Sequence, residues 1–263
     1  MIESARAFEH IAIRREDGDV AVITMERAEK RNALSLEVMR ELNAAFSAIG
    51  GDTSVRVVVL AGTGPAFSAG HDLSELVDRE VEAYRAIFDE CVALMARIQA
   101  IPQPVIAEVA RVATAAGCQL VAACDLAVAS REATFATPGV RIGLFCSTPM
   151  VALTRAIGRK RAMEMLLTGE PIDAERALAY GLVNRVVAHE ALRAESLDLA
   201  RKIASASRTV VGIGKAAFYA QIEMDQPAAY AYAKEIMTKN ALEEDAQEGI
   251  KSFLGKRAPV WRP

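Results

Sequence analysis

The sequence predicts an α/β domain with right-handed crossovers, and three observations carry that prediction. Strand-like and helical patterns alternate from Val20 to Val128. The run Val55–Ala61 (VRVVVLA) is apolar at every position but Arg56, as in a strand covered on both faces. The stretch from Ala107 to Pro149 passes from a strand through small residues into a helix and out into another strand, the layout of a parallel sheet.

Each element follows from local chemistry. Val20–Met25 reads as a strand by its β-branched, apolar content. Ser35 is placed to N-cap a helix whose Leu36, Met39, Leu42, Phe46 and Ile49 share one face, and Gly50-Gly51 stops it. Residues 62–72 (GTGPAFSAGHD) form a loop. A second helix spans Val81 to Ile101, with Ile87, Cys91, Leu94, Met95 and Ile98 on one side; Pro102 and Pro104 end it and launch a strand at Val105. Small residues follow (Ala113, Ala115, Ala116, Gly117), then the apolar segment Leu120–Ala123, Asp125, and a strand over Leu126–Val128. Beyond Pro149 the pattern turns helical: Val151–Ile157, Arg159–Leu167, and Ala174–Tyr180 capped by Asp173 and closed by Gly181. A β-prone run, Leu182–Val187, interrupts it. From Leu192 the chain is mostly helical to Leu254, with a break near Pro227. The expected organisation is a core over residues 1–191 and a helical region over 192–263.

At 263 residues and 52% hydrophobic content the chain can bury a sizeable core. A net charge of −3 argues against a general nucleic-acid binder. No apolar run approaches the roughly 18 residues of a membrane span. The N-terminal stretch carries Glu3, Arg6, Glu9 and Arg14 around no apolar centre. It lacks the pattern of a secretory signal, and its acids are foreign to a mitochondrial presequence, so a cytoplasmic protein is expected. Cys91, Cys118, Cys124 and Cys146 lie in apolar surroundings without metal-ligand spacing, which reads as reduced core thiols and no metal site.

The small residues before Leu120 leave N–H groups unpartnered at the positive end of a helix, a setting suited to a developing negative charge on oxygen. The same residues equally suit plain close packing of helix on strand, and the sequence leaves both readings open. GTGPAFSAGHD lacks the third glycine and the distant acid of a dinucleotide loop. Ser68 with His71 and Asp72 lacks the G-x-S-x-G turn of a serine nucleophile, and adjacent side chains seldom build a triad.

Four segments together carry a more specific signal: RAEKRNALS (Arg27–Ser35), AFSAGHDL (Ala66–Leu73), Ala107–Asp125 and EGIKSFLGKRAPVW (Glu248–Trp261). In order and spacing the chain resembles the crotonase superfamily, the enoyl-CoA hydratase/isomerase family, nearly end to end. PGVRIGLFCSTP and LLTGEPIDAERALAYGLVNRVV resemble its enoyl-CoA hydratase domain-containing subgroup, whose members lack both catalytic glutamates. The resemblance implies a spiral of ββα units with a C-terminal helical region that builds homotrimers, often paired into hexamers. It implies an acyl-CoA thioester as substrate or ligand, with no separate cofactor, whose carbonyl is held by two backbone N–H groups. The first donor matches His71, after Ala69-Gly70; the second matches Ala116, where the family usually has glycine. Contacts to CoA fall by the same resemblance on Arg27, Lys30 and Arg31, on Ala69, His71, Asp72 and Leu73, and on Phe253 and Lys256 in the tail, often from a neighbouring subunit.

The acid/base positions depart from the family. Where a hydratase reads GCEL this chain reads Gly117-Cys118-Gln119-Leu120, and where a glutamate follows proline this chain has Gly139 after Pro138. A glutamine amide does not take a proton near neutral pH, and glycine offers no side chain. A positioned general acid or base contributes about 10²–10⁴-fold, so ordinary hydratase activity is expected to be weak or absent. Among the remaining groups, the His71 side chain is either a proton carrier or loop packing. Glu108 is read as paired with Arg111 or Arg141, or as exposed on a strand. Cys146, with Ser147 and Thr148, lies in the loop where family members position water, and nothing adjacent lowers its pKa. Asp72 and Asp125 read as structural. Two functions follow: an acyl-CoA enzyme working through its oxyanion hole, in a reaction such as isomerisation, decarboxylation or thioester hydrolysis, or a non-catalytic acyl-CoA carrier or sensor.

Overall fold

A computed structural model describes residues 8–262; Glu3 and Arg6 lie outside the described residues. Its first strands, β1 (Ile11–Glu16) and β2 (Val20–Met25), form an antiparallel hairpin. Asp17 and Gly18 turn it at φ 54° and 85°, the conformation that a tight hairpin requires. The charged residues of β1 hide this strand from a reading based on apolar runs.

The chain then repeats one pattern. A strand enters a large parallel sheet, a short strand enters a second sheet, and a helix returns over both. After α1 (Leu36–Gly50), this gives β3 (Val57–Gly62), β4 (Ala66–Ser68) and α2 (Val81–Ala100). It gives β5 (Val105–Val109), β6 (Val112–Thr114) and α3 (Ala116–Ala123), then β7 (Leu126–Ser130), β8 (Thr134–Ala136) and α4 (Pro149–Ile157). The remaining elements are α5 (Arg159–Thr168), β9 (Ile172–Asp173), α6 (Ala174–Tyr180), β10 (Arg185–Val187), α7 (Leu192–Ala204), α8 (Arg208–Gln221), α9 (Gln226–Leu242) and α10 (Glu244–Leu254). Among the described residues the large sheet has the order β1-β2-β3-β5-β7-β10 and the small one β4-β6-β8-β9. The α/β class and the ββα spiral are thus as expected. The small sheet is the part the sequence did not disclose, because strands of two or three residues are too short to show a period.

The expected caps form. Ser35 Oγ accepts from the Val38 N–H at 3.3 Å, and Asp173 Oδ1 from the Arg176 N–H at 2.8 Å. The expected break near Pro227 is there, between the end of α8 at Gln221 and the start of α9 at Gln226; Pro227 sits in the first turn of α9, where its missing N–H costs nothing, and Asp225 caps that turn.

The valine-rich strands are buried on both faces. Val58 and Leu60 point toward α1 and α2, with Phe46, Phe67 and Leu94 fully buried between. Val57, Val59, Ile106 and Val128 point the other way, against Leu192, Ala200 and Ala204 of α7. So α7 seals the sheet as part of the core, and the helices that extend beyond the sheet begin at α8. Glu108 is corrected by the same layering. It is neither exposed nor paired with Arg111 or Arg141; α7 brings Arg193 to 3.0 Å from it, while Arg111 reaches Glu132 at 2.9 Å. No helix among the described residues is long and apolar enough to cross a membrane.

α8 is fastened by a buried ion pair. Lys215 Nζ donates to Asp125 Oδ2 (2.7 Å) and to the carbonyls of Ile98 (2.7 Å) and Gln103 (2.9 Å). Asp125 also accepts from the Val105 N–H (2.7 Å) and the Tyr219 hydroxyl (2.9 Å), so every charge is met and Asp125 is structural as expected. Replacing Lys215 by methionine strands the carboxylate and two carbonyls, and breaking such a pair costs roughly 3–5 kcal/mol; denaturant unfolding of Lys215→Met is expected to show a loss of that order. A second stability test concerns Ala115, whose φ of 51° and ψ of −120° lie in a region favoured by glycine. Such strain is worth roughly 1–3 kcal/mol, and glycine returns roughly 0.4–1 kcal/mol of it as unfolded-state entropy. Ala115→Gly is therefore expected to stabilise the protein by about 1 kcal/mol, read as a higher urea midpoint at unchanged slope.

Candidate active site

β4 and β6 run parallel, with Ala66 opposite Val112 and Ser68 opposite Ala113. Their C-terminal ends therefore bring the His71 loop beside the turn that starts α3. The approach depends on absent side chains. A Cβ on Gly117 would lie 2.2 Å from the Ser68 carbonyl oxygen, and one on Gly70 2.8 Å from the Ala115 Cβ. Thr114 Oγ1 ties the two segments by donating to the Ala69 carbonyl at 3.1 Å.

The loop before α1 is stapled to the same place by Asn32, whose role is invisible in sequence beyond its place in the RAEKRNALS motif. Its fully buried amide donates to the carbonyls of Thr63 and Ala66 (both 2.8 Å) and accepts from the Arg27 N–H (2.9 Å). Ser68 is no nucleophile: its buried hydroxyl donates to the Asn32 carbonyl at 2.8 Å. Leu34 donates to the Gly70 carbonyl at 2.7 Å, which fixes the peptide that carries the His71 N–H.

His71 and Ala116 both line a cavity of about 400 Å³. Neither backbone N–H donates to any acceptor among the described residues. The backbone strain that an alanine in this turn invites falls on Ala115, the residue before α3, and not on Ala116. Ala69, Leu73 and Gly139 share the lining, with Leu76, Phe88, Ile142 and Phe145, which the sequence did not single out because they come from three separate segments. The walls are almost wholly apolar.

Gln119 is not in that lining. Its side chain is buried against α2, where its Oε1 accepts from the Cys91 thiol at 3.8 Å, and it borders a different cavity with Asp125 and Tyr219. The residue expected in the site for its position in the motif is thus held behind the wall. Gly139 does line the cavity, but the space a side chain needs is filled: a Cβ would lie 2.0 Å from the Leu144 carbonyl oxygen and 2.8 Å from Cys146 Sγ. The Leu144 N–H donates to the Gly139 carbonyl at 3.0 Å, which keeps the loop closed on that position.

The titratable groups behave accordingly. Burial pushes His71 below its ordinary pKa, with the Leu34 backbone opposing; both ring nitrogens are shielded from solvent, and the ring meets Phe88 edge-on at 5.5 Å. Burial pushes the Cys146 thiol up, and all four cysteines are free and buried, as expected. Asp72 is held below the carboxylate range by the Ser74 hydroxyl (2.6 Å), with help from Arg27 (3.3 Å) and Lys30. It caps the short turn after the His71 loop, a structural role. Lys30 and Arg31 are exposed on the segment after Arg27. Phe253 (83% exposed) and Lys256 belong to the tail and do not line the cavity of their own chain.

The model of the family described as enoyl-CoA hydratase/isomerase matches residues 15–263. The chain is 49% identical to the human protein named enoyl-CoA hydratase domain-containing protein 3, mitochondrial, over 91% of this chain and 79% of that one. It is 36% identical to a probable enoyl-CoA hydratase of Rhizobium meliloti, over 91% and 93% of the two chains. Among solved structures, an enoyl-CoA hydratase of Mycobacterium smegmatis superposes with a TM-score of 0.94 at 49% identity, covering 96% of this chain and 99% of that one. The human domain-containing protein 3 superposes with 0.93 at 47%, covering 96% and 100%. The relatives' mitochondrial naming, carried also by the mouse and rat proteins, overturns the cytoplasmic expectation, which rested on the N-terminal residues and the reduced cysteines. The matched span, the shared spiral and the relatives together show that this chain belongs to the enoyl-CoA hydratase/isomerase family, the crotonase superfamily, and within it is similar to the domain-containing subgroup.

Proposed function

We propose that the protein binds an acyl-CoA thioester and stabilises its enolate through the His71 and Ala116 N–H groups, in fatty-acid or organic-acid metabolism, with little or no hydratase activity. One observation carries this reading: two unpartnered N–H groups border an apolar cavity whose lining contains no carboxylate. Such donors in a water-poor site are worth roughly 3–4 kcal/mol each to a developing oxyanion. The apolar walls suit an acyl chain, and Arg27, Lys30 and Arg31 offer cations for the CoA phosphates. Water addition, by contrast, needs a base for the water and an acid for the α-carbon, and neither residue position supplies one. The exposed Tyr230, Met237 and Leu242 of α9 and Phe253 of α10 favour assembly of the chain into a homotrimer or hexamer, with the tail reaching CoA on a neighbouring copy.

Titration calorimetry with acetyl-CoA is expected to give a saturable binding isotherm; no heat and no thermal shift at millimolar ligand would remove the CoA reading. Crotonyl-CoA hydration is expected to run at least 10²-fold below a two-glutamate relative, and a rate within about tenfold would show that the proton chemistry has another source. If a panel of acyl-CoAs followed by mass spectrometry yields binding without product, the protein is a carrier or sensor.

The filled space at Gly139 adds a sharper expectation. Gly139→Glu, alone or with Gln119→Glu, is expected to lower the melting temperature and leave hydration unrestored, since the Leu144–Cys146 loop must move before the carboxylate fits; such overpacking costs roughly 1–3 kcal/mol or more. A double variant that melts with the wild type and hydrates crotonyl-CoA would contradict the steric argument.

A further inference from the structure

We propose that this site takes medium-chain acyl-CoA thioesters, and that Ile142, Leu144 and Phe145 form the rim that holds the far end of the acyl chain. The proposal rests on the thioester reading above and names its substrate class.

The first argument is the order of the loops. In the small sheet β4, β6 and β8 lie side by side and run parallel. Their C-terminal ends therefore present three segments in a row: the His71 loop, the turn at Ala116, and the segment from Pro138 to Phe145. The N–H groups proposed to hold the thioester oxygen belong to the first two. The cations offered to CoA lie against the first, because Leu34 pairs with His71 in a parallel bridge and Arg27 reaches Asp72 at 3.3 Å. A thioester whose CoA arm leads toward Arg27 sends its acyl chain toward the third segment. All three segments line the one cavity.

The second argument is the chemistry of that third segment. Ile142 is 61% exposed, Leu144 44% and Phe145 37%, and all three line the cavity. A single exposed apolar residue needs no explanation, but three within four positions on one cavity make a surface for an apolar ligand. The rim is held before any ligand arrives. The Leu144 N–H donates to the Gly139 carbonyl at 3.0 Å, Arg141 Nε donates to the Thr168 carbonyl at 3.0 Å, and Gly143 turns the chain at φ 77°. Binding there costs little ordering of the protein. A polar acyl group finds poor recognition: the lining has no carboxylate, Arg141 is tied to Thr168, and the His71 ring nitrogens are shielded.

The third argument is size. A cavity of about 400 Å³ falls among the pockets of roughly 300–1,000 Å³ that enclose drug-sized ligands, and an acetyl group leaves most of it empty. Each further methylene buried against such walls is worth about fourfold in affinity. A chain that crosses from the N–H groups to Phe145 collects this gain, and a short one does not.

The test is titration calorimetry of the full-length protein with acetyl-, butyryl-, hexanoyl- and octanoyl-CoA. Affinity is expected to rise about two- to fourfold per methylene, and by about 10²-fold or more from acetyl- to octanoyl-CoA. Ile142→Ser and Phe145→Ser, each at an exposed position, are expected to cut the ratio of octanoyl to acetyl affinity by about tenfold. Equal affinity along the series, a maximum at acetyl- or butyryl-CoA, or an unchanged ratio in both variants overturns the assignment of the rim. If the rim closes on a second copy of the chain instead, Ile142→Ser lowers the mass seen by light scattering and leaves the ratio unchanged, which also overturns it. Binding of none of the four overturns the thioester reading beneath it.

Discussion

The close approach of two backbone segments governs the rest of the molecule. The Ser68 carbonyl stands where a Gly117 Cβ would clash, and Gly70 presses against Ala115 and the Ala116 nitrogen. Only small residues allow this contact, and it is the contact that places the His71 and Ala116 N–H groups on one cavity. The local backbone is strained to achieve it: Ala115 holds a conformation that alanine resists. Strain of that kind persists where surrounding structure over-determines it. Here the Ala115 N–H bonded to Ala136 at 2.9 Å and the Thr114–Ala69 hydrogen bond hold the turn on both sides.

The same cavity shows what stands at the two positions where the family resemblance implies glutamates. Gly139 is not an empty place awaiting a side chain; the Leu144 carbonyl and Cys146 thiol occupy it. Gln119 has not stayed as a neutral copy of a glutamate facing the ligand but has an amide committed to Cys91. Two substitutions visible in sequence as simple losses are, in space, a closed loop and a residue facing another cavity. The cavity is left with largely apolar walls and no carboxylate in its lining.

Most of the large sheet and its helices were legible because their residues carry periodic signals. Ser35, Asp173 and Gly181 mark helix ends by chemistry that works locally, and the valine run of β3 is buried on both faces as its composition requires. The strands of the small sheet were not legible, since β4, β6 and β8 have three residues each and are defined by their partners. Motif resemblance pointed to His71 and Ala116, which the structure places on one cavity, whereas Asn32 and Ser68 were missed or set aside. Their importance lies in which carbonyls they reach, and that depends on segments more than thirty residues apart. Glu108 shows the same limit: its partner Arg193 follows from α7 crossing the sheet, not from spacing along the chain.

The helix that begins at Ala116 is held from both ends, and its far end is tied to the C-terminal helices. At its start, Ala116 and Gly117 abut β4; just past its end, Asp125 is bonded to the Val105 N–H of the sheet and to Lys215 and Tyr219 of α8. Asp125 is thus the point at which α8 meets the eight-residue helix that carries the Ala116 N–H. In the proposed role, an N–H group stabilises developing charge because it is held in place beforehand, and these contacts at both ends of α3 favour that. The helical region beyond the sheet thus meets α3 through a buried ion pair at its far end, while none of the described residues of that region line the cavity.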